Sequence, residues 1–217
     1  MKQTGFLFDL DGVIVDTAKY HYLAWKDLAE ALGVPFTEKE NALLKGVSRM
    51  RSLEIILSLG GLTMPQAEKD ACCAKKNEVY VAYIDKLQPD EVLPGAREFL
   101  VASRAAGIGV ALGSASKNAP RILDKLDLTD LFDAIIDGTV VSAAKPDPEV
   151  FLKGAEALDL PAEQCVVFED SVAGIQAAHA GGMKAVGVGK KEDLPEADAW
   201  ISGFDGLTPA DLLAMLA

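Results

Sequence analysis

Short uninterrupted apolar runs punctuate the chain: Phe6-Leu7-Phe8, Ile108-Gly109-Val110-Ala111-Leu112, Ala134-Ile135-Ile136, Val166-Val167-Phe168 and Ala185-Val186-Gly187-Val188. Runs without polar alternation predict strands buried on both faces. Trp200-Ile201 is a further short strand. Between them, apolar residues recur at three- and four-residue spacing over 96–106, 120–126, 148–158 and 171–180, which predicts helices. Alternating strands and helices imply a parallel sheet covered on both sides, an α/β core of Rossmann-like, doubly wound type. Beyond Trp200-Ile201 the pattern assigns no element.

Residues 17–87 follow a different grammar, with helical periodicity and no strand. His21, Ala24, Trp25, Leu28, Ala31 and Leu32 share one helical face over 18–32, and Gly33 follows as a C-terminal stop. Asp16 or Thr17 is placed to cap that helix. Thr37-Glu38-Lys39-Glu40 has capping-box spacing and opens a helix to residue 44. Lys45-Gly46-Val47-Ser48 interrupts it, Ser48 caps a helix over 49–59, and Gly60-Gly61 ends that one. Thr63-Met64-Pro65-Gln66 is a further capping signal before a long helix to about residue 84. The first strand has no partner nearby in sequence, so it must join the later sheet. The expected organisation is therefore a core of residues 1–15 and 88–217 with a four-helix insert over 16–87.

Charge narrows the partners. A net charge of −12 disfavours non-specific binding to nucleic acid or an anionic membrane, so neither is expected as a partner. Cys72, Cys73 and Cys165 have neither disulfide-framework nor zinc spacing and read as reduced thiols, which points to the cytoplasm. The first apolar run meets Asp9 at once, unlike a signal peptide, and no run approaches a membrane span. A monomer is expected.

The chemistry collects at the strand ends, where ligands of open α/β sheets bind. The first strand ends in Asp9-Leu10-Asp11-Gly12. In an extended backbone Asp9 and Asp11 face the same way while Leu10 points into apolar packing. Two adjacent carboxylates repel unless a cation lies between them. The second strand leads to Ser114, then Ser116-Lys117-Asn118; the third leads towards Lys145-Pro146; the fourth ends in Glu169-Asp170. An oxygen-only set, Asp9, Asp11, Glu169 and Asp170, suits Mg²⁺. Lys145 would hold a phosphate oxygen and balance the charge of Asp9, and Ser114 would donate a hydrogen bond to the same group. Each position alone has a bland explanation as a helix cap or solvated turn; their order at successive strand ends carries the signal.

Asp9-Leu10-Asp11-Gly12-Val13, Ser114, Lys145-Pro146 and Glu169-Asp170-Ser171 resemble the four motifs of the haloacid dehalogenase superfamily, with the helical insert in the position of its cap. The resemblance implies an aspartyl-phosphate mechanism with Asp9 as nucleophile and Mg²⁺ as cofactor. Asp11 is then placed as general acid and base. The stretch from Asp16 to His21 with Ala24-Trp25, the loop Lys45-Gly46-Val47-Ser48-Arg49, Lys75-Lys76-Asn77 and Ser114-Ala115-Ser116-Lys117-Asn118 resemble the β-phosphoglucomutase branch of that superfamily. This implies conversion of β-D-glucose 1-phosphate to glucose 6-phosphate through a bisphosphate. It also implies substrate- or phosphate-binding roles for Thr17, His21, Trp25, Lys45, Gly46, Val47, Arg49, Lys76, Ser114, Ala115, Ser116, Lys117, Asn118 and Lys145. A bisphosphate needs two anion sites, the second expected from Arg49 with Ser116, Lys117 and Asn118. In the family's picture His21 and Lys76 couple sugar binding to the alignment of Asp11, and cap closure excludes water.

The main alternative is a phosphatase on the same scaffold, acting on sugar phosphates or phosphoglycolate. A phospho-accepting receiver lacks a helical insert after its first strand. A P-loop enzyme is excluded because no Gly-x-x-x-x-Gly-Lys-Ser/Thr run exists. An Asp-x-Asp glycosyltransferase is disfavoured by the strand-end lysine and the second acid pair.

Overall fold

The structure is a computed structural model and describes residues 3–44 and 48–217. It divides into two compact units, residues 1–16 with 87–217, and residues 17–86. Lys45, Gly46 and Val47, expected in the phosphate-binding loop, lie outside the described residues.

The first unit is built on six strands: β1 (Gly5–Phe8), β2 (Gly109–Gly113), β3 (Ala134–Ile136), β4 (Cys165–Glu169), β5 (Lys184–Val188) and β6 (Ala199–Ile201). All pair in parallel in the order β3-β2-β1-β4-β5-β6. This is the Rossmann-like, doubly wound sheet that the apolar runs predict. The strand order reverses at β1, whose neighbours β2 and β4 are far apart in sequence. That reversal opens a crevice beyond the carboxyl ends of β1 and β4. The register pairs Phe8 with Phe168, so Asp9 and Glu169 follow at matching heights.

Alternate residues of each strand face opposite layers. Leu7, Ala111, Val167 and Ala185 pack under α7 (Glu149–Ala157) and α8 (Val172–Ala180), against Phe151, Ala155 and Ile175. On the other face Phe6, Phe8 and Phe168 meet Phe204 and Phe99 of α5 (Ala96–Ala105). Phe8 and Phe168 stack at 4.5 Å between centroids. Each fully buried phenylalanine contributes about 1.5–3 kcal/mol, so the two strands that carry the acids are tied together by apolar contact. A further helix, α6 (Ala119–Lys125), follows β2. The tail, to which the sequence pattern assigns nothing, forms α9 (Pro209–Met215), where Thr208 and Asp211 make a capping box with Pro209 at the first turn. That signal is present in the sequence as Thr208-Pro209-Ala210-Asp211 and is too short to show periodicity.

The second unit holds α1 (Ala18–Ala31), the short α2 (Glu38–Asn41), α3 (Arg49–Leu59) and α4 (Gln66–Ile84). Thr37 and Glu40 form the expected capping box, and the Ser48 hydroxyl accepts from the Arg51 amide. Two expected caps differ. Thr17 precedes α1 in a helical backbone conformation, φ −95° and ψ −2°, and makes no capping hydrogen bond through its side chain. An extended backbone is what aims a cap side chain back at the amides. Before α4 the cap position falls on Pro65, because the helix begins at Gln66, two residues later than a cap at Thr63 requires. Among the described residues no helix is long and apolar enough to cross a membrane, and the three cysteines are free.

Candidate active site

Within the sheet unit, β1 stops at Phe8 because the chain turns. The Gly12 amide donates to the Val15 carbonyl at 2.9 Å, and Leu10 is fully buried beneath the turn. Asp9 is therefore fixed at the strand end, its amide donating to the Phe168 carbonyl at 3.0 Å. One carboxylate oxygen from each of Asp9, Glu169 and Asp170 can be chosen so that all lie within 4.8 Å of one another. The Asp11 side chain is not part of that group.

Lys145 closes the cluster. Its Nζ donates to Asp9 Oδ1 at 2.5 Å, to Glu169 Oε1 at 2.5 Å and to the Gly113 carbonyl at 3.1 Å. It also lies 4.6 Å from the centre of the Phe151 ring. Glu169 is the most enclosed acid, at 1% exposure of its side chain. Its second oxygen accepts from the Ser171 amide at 3.1 Å and the Ser171 hydroxyl at 2.8 Å. Ser171 in turn caps α8 by accepting from the Gly174 amide.

Two glycines admit the acids. A Cβ on Gly12, whose φ is +78°, would lie 2.3 Å from an Asp170 oxygen. A Cβ on Gly174 would lie 1.9 Å from the Glu169 carboxyl carbon. The sequence reading uses Gly12 only as a turn and does not mark Gly174 or the Ser171 bonds to Glu169. These depend on the β1–β4 register and on α8 lying against β4, which spacing along the chain does not reveal.

The electrostatics follow from burial. Burial pushes the Asp9 carboxyl well above its ordinary range; Lys145 opposes this, and Glu169 and Asp11 reinforce it. Asp11 is raised to about 7, first by burial, then by the charge of Asp170, against the pull of Lys145. For Lys145, burial works against the ammonium, but Asp9 and Glu169 outweigh it and hold the amine charged far above neutral pH. Four carboxylates thus face a single ammonium. The donor set is all oxygen, and a dication would bring the formal charge from −3 to about −1. A hard divalent cation fits these residues.

The loop after β2 carries Ser114, Ala115, Ser116, Lys117 and Asn118. Ser114 is buried, and its amide donates to the Ile136 carbonyl at 2.9 Å. Its hydroxyl oxygen accepts from the Ser116 amide at 3.1 Å, which leaves the hydroxyl hydrogen to be donated elsewhere. The Ser116 hydroxyl accepts from the Asn118 amide at 3.3 Å. Ser114 is linked to the acid cluster through Gly113, whose carbonyl receives Lys145.

The helical unit assembles its own constellation. Lys76 is 2% exposed, and its Nζ lies 2.8 Å from His21 Nδ1. The same Nζ sits over the rings of Trp25 at 4.9 Å and Tyr80 at 4.7 Å, and His21 stacks on Tyr80 at 4.0 Å. An ammonium only donates, so a charged Lys76 assigns the His21 ring proton to Nε2. Burial, then the charges of Lys76 and Arg49, push the His21 pKa down to about 3. Arg49 donates to the Asn77 side-chain oxygen at 2.8 Å. Thr17 is fully buried. Thus His21, Trp25 and Lys76 converge within this unit, as do Arg49 and Asn77; Tyr80 is a member that the sequence reading leaves out.

Comparison with known proteins agrees with this construction. The chain is 44% identical over 204 residues to the β-phosphoglucomutase of Bacillus subtilis (strain 168), covering 93% of this chain and 90% of that one. It is 31% identical over 182 residues to the phosphorylated carbohydrates phosphatase of Thermotoga maritima, covering 83% and 82% respectively. A crystal structure of β-phosphoglucomutase from Clostridium difficile matches with a TM-score of 0.92 and 38% identity, over 100% of this chain and 97% of that one. The profile of the haloacid dehalogenase-like hydrolases matches residues 4–182, and with the acid–lysine cluster at its strand ends the chain belongs to that family.

Proposed function

We propose that this chain is a phosphomutase, an isomerase that interconverts β-D-glucose 1-phosphate and glucose 6-phosphate through an aspartyl phosphate and β-glucose 1,6-bisphosphate. One observation carries it: the 44% identity to the Bacillus subtilis β-phosphoglucomutase extends over 204 residues. That length includes the helical unit, where acceptor choice is made, as well as the catalytic sheet.

Asp9 attacks the phosphorus, the bond from phosphorus to the sugar oxygen breaks, and Asp11 delivers its proton to that oxygen. In the reverse half, Asp11 takes the proton of the sugar hydroxyl attacking the phosphoryl group, and the Asp9 carboxylate leaves. A value of about 7 for Asp11 suits a group that both gives and takes a proton near neutral pH. Lys145 opposes the protonation of Asp9 that burial favours and offers charge to the phosphoryl oxygens, and Ser114 donates its hydroxyl hydrogen to them. Asp9, Glu169 and Asp170, with the Asp11 backbone, would hold Mg²⁺, which would supply charge neutralisation at the phosphoryl group. Arg49 in the helical unit, and Ser116, Lys117 and Asn118 in the sheet unit, are each assigned to phosphate binding. His21, Trp25, Thr17 and Lys76 are assigned to the sugar end, together with the loop of Lys45, Gly46 and Val47. A cytoplasmic monomer is also proposed, supported by the net charge and the free thiols.

The test is a product balance. With Mg²⁺, β-glucose 1-phosphate and a trace of glucose 1,6-bisphosphate, glucose 6-phosphate should form in large excess over inorganic phosphate. Dominant phosphate release would favour the phosphatase reading, which the Thermotoga maritima relative represents.

A further inference from the structure

The turn that delivers Lys145 is itself held by one side chain that the reaction does not use. Glu149 is the first residue of α7. Its Oε2 accepts from the Ser142 amide at 2.8 Å, the Ser142 hydroxyl at 2.9 Å and the Ala143 amide at 2.7 Å. Its Oε1 accepts from Lys153 Nζ at 2.7 Å, and that same ammonium donates to the Val140 carbonyl at 2.5 Å. The Asp147 amide donates to the Ala144 carbonyl at 3.0 Å, and the Glu149 amide donates to Asp147 Oδ1 at 2.9 Å. The segment from Val140 to Glu149 is therefore braced at both ends on one turn of α7. Lys145 lies two residues past the braced Ala143.

An acid in the first turn of a helix is ordinarily explained by the helix dipole. Here three donors from outside the helix converge on one carboxylate oxygen, which the dipole does not require. The Lys153 bond, then the amides of Ala143 and Ser142, bring the Glu149 carboxyl down to about 2, so it stays an acceptor throughout the working range. A lysine side chain has four rotatable bonds, and its ammonium meets Asp9, Glu169 and Gly113 together only from a fixed backbone position.

We propose that Glu149 is a positioning residue for Lys145: its carboxylate fixes the 142–149 turn, and so sets where the ammonium meets Asp9 and Glu169. The residue touches no reacting atom and acts only through Lys145. The inference rests on the phosphoryl-transfer reading of the Asp9 site.

Glu149→Ala tests it, with Glu149→Gln as a milder variant that keeps the shape and one acceptor oxygen. A displaced catalytic group of this kind costs about 10–100-fold in kcat, and the expected split is that loss with KM within about 3-fold. Glu149→Gln should fall between wild type and Glu149→Ala, and it carries the same measurements should Glu149→Ala not fold. In a Lys145→Met background, Glu149→Ala should change the remaining rate by less than about 3-fold, because the two act as one unit. In a crystal structure of the variant, Lys145 Nζ should have left Asp9 and Glu169. Unchanged kcat, equal losses in both backgrounds, or a kcat loss with Lys145 still seated would each overturn the proposal. Should the wild type release phosphate instead of making glucose 6-phosphate, the mutase reading fails, and the Lys145 position still reads the role of Glu149.

Discussion

Removing the Lys145 charge is the sharpest perturbation of the site. Lys145→Met keeps the length of the side chain and its contact with Phe151 and deletes the ammonium. Two ion pairs at 2.5 Å are lost. At an effective dielectric of 20, each is worth about 7 kcal/mol of Coulomb energy, of which the desolvation of three buried charges offsets the larger part. Breaking a buried pair by removing one partner leaves a net cost of about 3–5 kcal/mol. For a chain of this size that is a fall of roughly 10 °C in Tm.

The sign with pH is set by Asp9. Burial already raises its carboxyl, and Lys145 is the group that lowers it. Without Lys145 the folded-state value rises further above the unfolded one. Folded variant then binds a proton more readily, so the gap from wild type is widest at alkaline pH and narrows as pH falls. Urea unfolding of metal-free protein at pH 8 and pH 5.5 measures both. Activity should drop by at least about 10²–10³-fold, since the nucleophile is protonated and a charge on the phosphoryl oxygens is gone. Equal stability of variant and wild type at pH 8, or a gap that widens on acidification, would show that Lys145 does not hold the buried Asp9 charge.

Further outcomes follow from other contacts. Gly12→Ala should weaken Mg²⁺ binding in a calorimetric titration, because the new Cβ would displace Asp170 and sit at a positive φ; unchanged affinity would contradict the assigned ligand. Gly174→Ala should cost about 1–3 kcal/mol by overpacking against Glu169, read by denaturant unfolding, with activity falling alongside. His21 should stay neutral with its proton on Nε2 across pH 5–8, which nitrogen NMR of the imidazole reads directly. Its folded-state value lies below the unfolded one, so the unfolded chain takes up the proton first as pH falls below about 6.5. That removes up to about 2 kcal/mol of stability between pH 7.5 and 5, a slope that His21→Gln should lose. Asp11→Asn should cost about 10²–10⁴-fold in kcat, measured as glucose 6-phosphate formation.

The sheet was legible because its strands are buried on both faces. Phe6-Leu7-Phe8 and Val166-Val167-Phe168 have no polar alternation to confuse with a surface strand, and each stops at an acid. Strand-end logic therefore places Asp9, Ser114, Lys145, Glu169 and Asp170 at one end of the sheet, where Lys145 meets Asp9 and Glu169. What spacing could not supply was approach across the sheet. Gly12 meets Asp170, and Gly174 meets Glu169, because of the β1–β4 register and the way α8 lies on β4. The turn braced by Glu149 was equally hidden, since its donors sit six and seven residues upstream in a stretch with no periodicity. The short α9 lacks enough turns to show a face, although its Thr208 cap is explicit.

The destination of the phosphoryl group on Asp9 separates a mutase from a phosphatase. Loading the enzyme from radiolabelled glucose 1,6-bisphosphate and chasing with unlabelled β-glucose 1-phosphate follows that group directly. The label should pass from Asp9 into hexose bisphosphate and then into glucose 6-phosphate, with little inorganic phosphate. Label released mainly as inorganic phosphate, or an Asp9→Ala variant that still becomes labelled, would contradict a mutase acting through Asp9.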